Sequence, residues 1–149
     1  MAVFLTLVIG SVVARGVGLL GVDYVDSWPR AIAVGLAAMF VLTGVAHFVN
    51  PLRRDMIAIV PPRLPAPGAL VTVTGVLELA GAIGLLYPPT RAAAAISLFL
   101  LMLAMFPANV YAAKMPDPPE SMTSRLSVRT AQEAVYLAAA VVAAVGGGQ

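Results

Sequence analysis

Five long stretches of mostly apolar residues follow one another along the chain, separated by short polar or proline-containing segments. Each approaches the ~20 residues that an α-helix needs to cross the hydrocarbon core of a membrane. Backbone groups in lipid must bond within the protein, and runs of this length can do so as helices. The pattern therefore predicts an all-α, polytopic transmembrane helical bundle, forming one domain over residues 1–149, with spans at 2–20, 30–49, 67–87, 90–106 and 127–145.

The segment between the second and third spans predicts a short helix lying in the membrane interface. Asn50 can cap this helix, Pro51 suits its first position, and apolar side chains follow, so the helix is expected over residues 51–59. The pair Pro61 and Pro62 then ends it.

Composition supports the membrane prediction and narrows the chemistry. The chain is 60% hydrophobic and 11% charged, whereas soluble domains carry about 25% charged residues. It has no cysteine, which excludes thiolate catalysis and disulfide exchange by this chain alone. Its basic residues are spread over several loops without interleaved aromatic residues, so a nucleic-acid partner is not expected.

The distribution of Lys and Arg predicts the orientation. Five spans put the N-terminus and the second and fourth loops on one side, which is expected to be cytoplasmic, with the C-terminus outside. A cleaved signal peptide is the alternative interpretation of the first segment, although no Lys or Arg precedes its apolar run. The cytoplasmic side would hold six basic residues and the outer side two: Arg53, Arg54, Arg63, Lys114, Arg125 and Arg129 against Arg30 and Arg91.

Glycines within the spans predict close contact between helices, since residues without a side chain let two backbones approach. These are Gly35, Gly44, Gly75, Gly81 and Gly84.

Glu78 is the polar residue that most needs a partner, because it lies eleven residues into the third span, about 16 Å from the helix start. An ionisable side chain at this depth is costly and suggests a function. Arg15 lies at a comparable depth in the first span, so an ion pair between Arg15 and Glu78 is one expectation. Such a pair could serve only to lock two helices together.

Other polar residues are expected near the cytoplasmic ends of their spans and could form a pocket with Glu78 at its floor. Each also has a purely structural interpretation, as a helix cap, an interfacial anchor or an interhelical hydrogen bond. A single histidine without cysteine makes a poor metal site, so no metal is predicted. The candidates for the pocket are His47, Asn50, Asn109, Gln132 and Glu133, with Arg129 beside them.

From the second span onward, the chain resembles the DoxX-like family of small bacterial membrane proteins. The resemblance rests on TGVAHFVNP from Thr43, VPPRLPAPGALVTVTGVLELAGAIGLLYPPTR from Val60, FPANVYAAK from Phe106, and LSVRTAQ before the last span. It implies a four-helix core with one additional N-terminal helix and a bacterial inner-membrane location. The positions that match the family pattern are His47, Pro51, Pro61, Glu78, Gly81, Pro107, Asn109 and Gln132.

Together with the polar residues, the resemblance predicts a non-catalytic subunit or assembly partner with a lipid- or quinone-binding pocket between helices. Its expected partners are the bilayer, other membrane or redox subunits, and a second copy of the chain. Two alternatives stay open: a membrane subunit of a quinone-linked oxidoreductase, in which His47 and a carboxylate accept protons, and a small proton-coupled transporter.

Overall fold

All regular structure in the described part of the chain is helical. The computed structural model describes residues 1–146, so the last three residues of the predicted domain lie outside it. Short 3₁₀ turns occupy Asp23–Val25, Pro88–Thr90 and Glu120–Met122. The α-helices are α1 (Ala2–Leu19), α2 (Trp28–Ala46), α3 (Leu52–Ala58), α4 (Pro67–Leu86), α5 (Arg91–Lys114) and α6 (Leu126–Gly146).

Five of these helices, all except α3, are long and apolar enough to cross a membrane. This confirms the all-α prediction and is consistent with a multi-pass membrane protein. The fourth predicted span ended at residue 106, but α5 continues through Pro107 to Lys114. A proline removes one backbone hydrogen bond, which neighbouring packing can offset, and Ala112 beyond it is completely buried. The extension brings Asn109 into a helix rather than a loop.

Helices α2, α4, α5 and α6 form a ring in which each packs against two neighbours, and α1 packs on α2 from outside. The arrangement is thus a four-helix bundle with an additional N-terminal helix. Its centre is filled by Leu36, Met39, Leu85 and Leu98, which are almost fully buried. Many outward-facing side chains are large and apolar, as expected for helices that present their outer surface to lipid.

Close contact between α1 and α2 depends on Gly35. A Cβ atom at this position would lie 2.6 Å from the carbonyl oxygen of Leu7 and would overlap the Ser11 hydroxyl. That hydroxyl donates a 2.7 Å hydrogen bond to the same Leu7 oxygen, so it cannot move away without losing the bond. The predicted role of small residues in helix contact is confirmed here.

The contact between α2 and α4 uses two further glycines. A Cβ atom on Gly75 would lie 2.9 Å from Phe48 and 2.5 Å from the Cβ of His47, and one on Gly44 would lie 2.8 Å from Leu79. Because both helices contribute a glycine, their backbones approach closely where α2 ends.

At the opposite end of the bundle, the side chain of Arg91, the first residue of α5, is buried. Its Nε donates to the carbonyl oxygen of Leu85 at 3.0 Å, and its guanidinium lies 5.3 Å from the centre of the Tyr24 ring. The Tyr24 hydroxyl donates to the carbonyl oxygen of Leu86. These contacts join the α1–α2 connection to the α4–α5 connection and close this end.

Replacing Gly35 with alanine should destabilise the protein by about 1–3 kcal/mol, because overpacking a tight contact forces backbone shifts. The measurement is loss of helical circular dichroism as SDS is titrated into protein in a mild detergent. Gly16→Ala is the matched control, since a Cβ atom there meets nothing within 4 Å. Equal stability of the two variants would contradict the packing argument.

Candidate functional site

Two adjoining cavities lie among α2, α4, α5 and α6, near α3. Their volumes are about 510 and 370 Å³, and together they are called the interhelical cavity below. The two volumes meet at a common wall, which carries a carboxyl, a hydroxyl and an amide among apolar groups. The residues that line both are Thr43, Met56, Glu78, Met105, Asn109 and Met122.

Glu78 projects from α4 into this wall and is only 4% exposed. Its Oε2 accepts a 2.6 Å hydrogen bond from the Thr43 hydroxyl on α2. The close approach of α2 and α4 at Gly44 and Gly75 brings these two groups together. The sequence prediction missed Thr43, although it lies one helical turn before His47 and therefore on the same face of α2.

His47 follows the last residue of α2 and is also buried. Its Nδ1 lies 2.8 Å from the carbonyl oxygen of Thr43, so Nδ1 carries the proton and donates it. Burial lowers the pKa of His47, and the nearby charge of Arg53 lowers it further, against the opposing effect of the bond to Thr43. The lower pKa favours the neutral imidazole. Its Nδ1 is 3.8 Å from Oε2 of Glu78, too far for a hydrogen bond, and the two groups are linked through Thr43.

Arg53 ties the end of α2 to the start of α4. Its Nη1 donates to the carbonyl oxygen of His47 at 2.9 Å, and its Nη2 donates to the Thr72 hydroxyl at 2.9 Å and to the carbonyl oxygen of Gly68 at 3.2 Å. A cation at a helix C-terminus also interacts favourably with the helix dipole. The charge count had treated Arg53 only as a marker of orientation.

Arg129 performs a similar role between α5, α6 and the loop that joins them. Its Nη1 donates to Asn109 Oδ1 at 2.9 Å, its Nη2 to the carbonyl oxygen of Met122 at 2.6 Å, and its Nε to that of Ser124 at 3.1 Å. Each guanidinium nitrogen thus bonds to another protein group. The side chain holds one wall of the interhelical cavity in place.

Glu133 lies one helical turn after Arg129 and lines the larger cavity with Gln132 and Tyr136. Its Oε1 is buried and accepts no hydrogen bond from the described residues. Because Arg129 points toward Asn109 and the loop, it forms no ion pair with Glu133. An unsatisfied oxygen of this kind is costly and therefore marks a position where a bound molecule could donate.

The rest of the larger cavity is apolar and rich in methionine. Six of the seven methionines in the chain line it, and Phe40 adds an aromatic ring. Methionine side chains are flexible and polarisable, so they adapt to apolar groups of different shapes. The methionines concerned are Met1, Met39, Met56, Met102, Met105 and Met122.

Helix α3 and the turn Glu120–Met122 form a cover over the cavity and are bonded to each other. The Ser121 hydroxyl donates to Asp55 Oδ2 at 2.7 Å, while Met56 and Met122 contribute to the cavity lining beneath. The predicted short helix is thus part of the site, because it forms one wall.

The structure brings together five of the seven predicted site residues, but Asn50 is not among them. It lines a surface groove with Pro51, Arg53 and Arg54, outside the interhelical cavity. It does not cap α3 either, since that helix begins at Leu52 and Pro51 takes the N-cap position. The residues that do line the cavity are His47, Glu78, Asn109, Gln132 and Glu133.

The expected ion pair between Arg15 and Glu78 is wrong. The first residues of α1, up to Val3, line the cavity, and Arg15 lies twelve residues further on, about 18 Å along the helix. Moreover, α1 packs on α2, whereas Glu78 faces Thr43 from α4. Equal depth in two helices does not produce contact when another helix is the neighbour.

Within residues 1–146, no group of three or more His, Asp or Glu side chains is arranged to hold a metal ion. The polar groups of the cavity are instead arranged singly along apolar walls. This arrangement can orient the head of an organic molecule.

Fold and site together define a helical protein with five helices of membrane-spanning length, four of which surround a partly polar cavity. Residues 36–144 match the family described as Domain of unknown function (DUF8561). The chain therefore belongs to that family, and the match runs from Leu36 in α2 through α3, α4 and α5 to Ala144 near the end of α6. Neither the curated proteins nor the solved structures contain a match to the chain.

Replacing Arg129 with alanine should lower stability by at least about 2–3 kcal/mol, because three hydrogen bonds from a charged group are lost and a single such bond contributes about 1.5–3 kcal/mol. SDS titration followed by circular dichroism measures the change. Arg125→Ala is the control, since Arg125 is exposed on the same segment. If both variants unfold at the same SDS fraction, Arg129 does not hold the wall of the cavity.

Proposed function

We propose that this protein binds one amphiphilic molecule of the lipid or quinone type in the interhelical cavity. It acts without catalysis, as a membrane subunit or assembly partner that holds or positions this molecule. The observation that carries the proposal is the shared wall, where Glu78, Thr43 and Asn109 are surrounded by apolar residues.

The size and lining of the cavity suit such a ligand. Ligand pockets typically occupy about 300–1,000 Å³ and combine apolar walls with a few converging polar groups. Volumes of 510 and 370 Å³ fall in this range. A polar head would lie near Glu78 and Asn109, and the apolar part would lie against the methionines.

The hydrogen bonding of His47 favours a ligand-binding role for the cavity over proton transfer between His47 and Glu78. Its Nδ1–H is directed to a backbone oxygen, and its separation from the Glu78 carboxylate is 3.8 Å. A proton relay requires direct hydrogen bonds or a bridging water between donor and acceptor. The resemblance to the DoxX-like family, itself a proposal, adds the expectation of redox or other membrane proteins as partners.

The direct test is extraction of ligand from protein purified in a mild detergent, followed by mass spectrometry. We expect one amphiphile enriched at about one molecule per chain over its share of the total membrane extract. If the extract from the protein has the same composition as the membrane, the cavity holds no specific ligand.

Filling the smaller cavity should reduce the enrichment. Ala108 lines that cavity, so Ala108→Phe should weaken retention about tenfold, equivalent to ~1.4 kcal/mol. Ala138→Phe is the control, because Ala138 lies on an exposed face of α6. Equal retention by both variants would place the ligand elsewhere.

Loosening the cover formed by α3 and the turn Glu120–Met122 should change the dissociation rate of a bound amphiphile more than its affinity. Ser121→Ala removes the bond to Asp55, and we expect dissociation of a bound fluorescent amphiphile to accelerate about fivefold, or ~1 kcal/mol. Thr123→Val is the control, since among the described residues the Thr123 hydroxyl bonds locally, to the carbonyl oxygen of Glu120, and not to α3. Unchanged dissociation in Ser121→Ala would show that α3 and the turn do not control access.

A further inference from the structure

The larger cavity contains two carboxyl side chains on different helices, Glu78 on α4 and Glu133 on α6. Arg129 also lines it, but its three nitrogens bond to Asn109, Met122 and Ser124. The remaining cationic group at this cavity belongs to Met1, which is 84% exposed at the mouth. Within residues 1–146, neither carboxyl forms an ion pair with Arg, Lys or the N-terminus. The basic side chain beside Glu78 is His47, whose Nδ1 lies 3.8 Å from Glu78 Oε2 and donates instead to the carbonyl oxygen of Thr43.

The hydrogen bonding of these carboxyls is incomplete as well. Among the described residues, Glu78 accepts one bond, from the Thr43 hydroxyl, and the Oε1 of Glu133 accepts none. The side-chain oxygen of Asn109 already accepts from Arg129. The cavity therefore has one carboxyl oxygen without a donor, on Glu133, and a second carboxyl, Glu78, with one donor. An anionic head would add repulsion and donate to neither.

The apolar walls fit a positively charged organic group. Phe40 and Tyr136 line the same cavity as both carboxyls, and aromatic faces attract ammonium groups through their quadrupole. The methionines supply a deformable apolar surface that accepts chains or rings of various shapes.

We propose that the molecule held in the interhelical cavity is a lipophilic amine, whose ammonium head is recognised by Glu78 and Glu133. This inference rests on the proposed function, because it names the charge of the amphiphile that the cavity binds. The ammonium group donates to the carboxyls and supplies the missing positive charge. Its apolar portion packs against methionine and aromatic side chains.

The test uses two dansyl-labelled decyl amphiphiles that differ only in the head, which is either a primary ammonium or a hydroxyl group. Binding is measured by dansyl fluorescence to the full chain in phosphatidylcholine nanodiscs, with empty nanodiscs subtracted. We expect the ammonium probe to bind at least about tenfold more tightly, because charge-assisted hydrogen bonds are roughly twice as strong as neutral ones.

Substitution of Glu78 and Glu133 tests whether these two carboxyls cause the preference for the ammonium probe. Glu78→Gln and Glu133→Gln should each reduce the ammonium-to-hydroxyl ratio about threefold or more, and the double variant should abolish it. Glu120→Gln is the matched control, since Glu120 is exposed in the cover and does not line the cavity. Circular dichroism checks that each variant is folded. If Glu78→Gln does not fold, the comparison of Glu133→Gln with Glu120→Gln tests the proposal alone.

The outcomes separate this inference from the proposed function. Equal binding of both probes, weakened by Ala108→Phe, would support an amphiphile cavity and overturn the preference for an amine. Binding of neither probe would count against both proposals. An ammonium preference that persists in the double variant would overturn recognition by Glu78 and Glu133.

Discussion

The hydrogen bond from Thr43 to Glu78 is the interaction on which the arrangement of the site depends. A carboxyl on an apolar helix requires a polar partner, because burying it alone is costly. Here the partner lies on α2, at 2.6 Å, and it can be reached only because Gly44 and Gly75 let α2 and α4 approach closely. Packing of small residues and placement of the carboxyl are therefore parts of one constraint.

Arginines organise the two ends of the bundle differently. Arg91 is buried under Tyr24 and closes one end. At the other end, Arg53 and Arg129 reach across connections and bond to carbonyl and amide oxygens around the cavity. Because these arginines bond to backbone and amide oxygens, they form no ion pair with Glu78 or Glu133 in the described residues. The connections of the bundle are thus hydrogen-bonded, while both carboxyls of the cavity stay without an arginine partner.

The two proposals give this family of unknown function a chemical hypothesis. A cavity bounded by helices of membrane-spanning length can receive molecules that are already dissolved in lipid. Apolar walls alone would not distinguish such a molecule from the bilayer itself, since lipid chains are equally apolar. Selection must therefore come from the few polar groups of the cavity, among which Glu78 accepts one hydrogen bond and Glu133 has a buried oxygen that accepts none from the described residues.

Much of this was accessible from the sequence because it depends on position along a single helix. Long apolar runs determine where helices of spanning length lie, and the rise of 1.5 Å per residue places Glu78, His47, Asn109 and Glu133 at related depths. The grouping of these residues, the use of glycines at contacts and the absence of cysteine chemistry all follow from such local information. The continuation of α5 through Pro107 does not follow from local information, because it depends on packing of the helix beyond the proline, where Ala112 is fully buried.

Which groups actually meet was decided by the tertiary structure. Arg15 and Glu78 have compatible depths, yet α1 packs on α2, and Thr43 rather than Arg15 becomes the partner of the carboxyl. The rotation of each helix and the order of its neighbours decided three further contacts. Six methionines line the same cavity, and Asn50 lies outside it. Arg129 bonds to Asn109 and not to Glu133. The sequence determined the helices and the residues that need partners, whereas only three-dimensional packing selected those partners, because a contact depends on two surfaces and one helix specifies only its own.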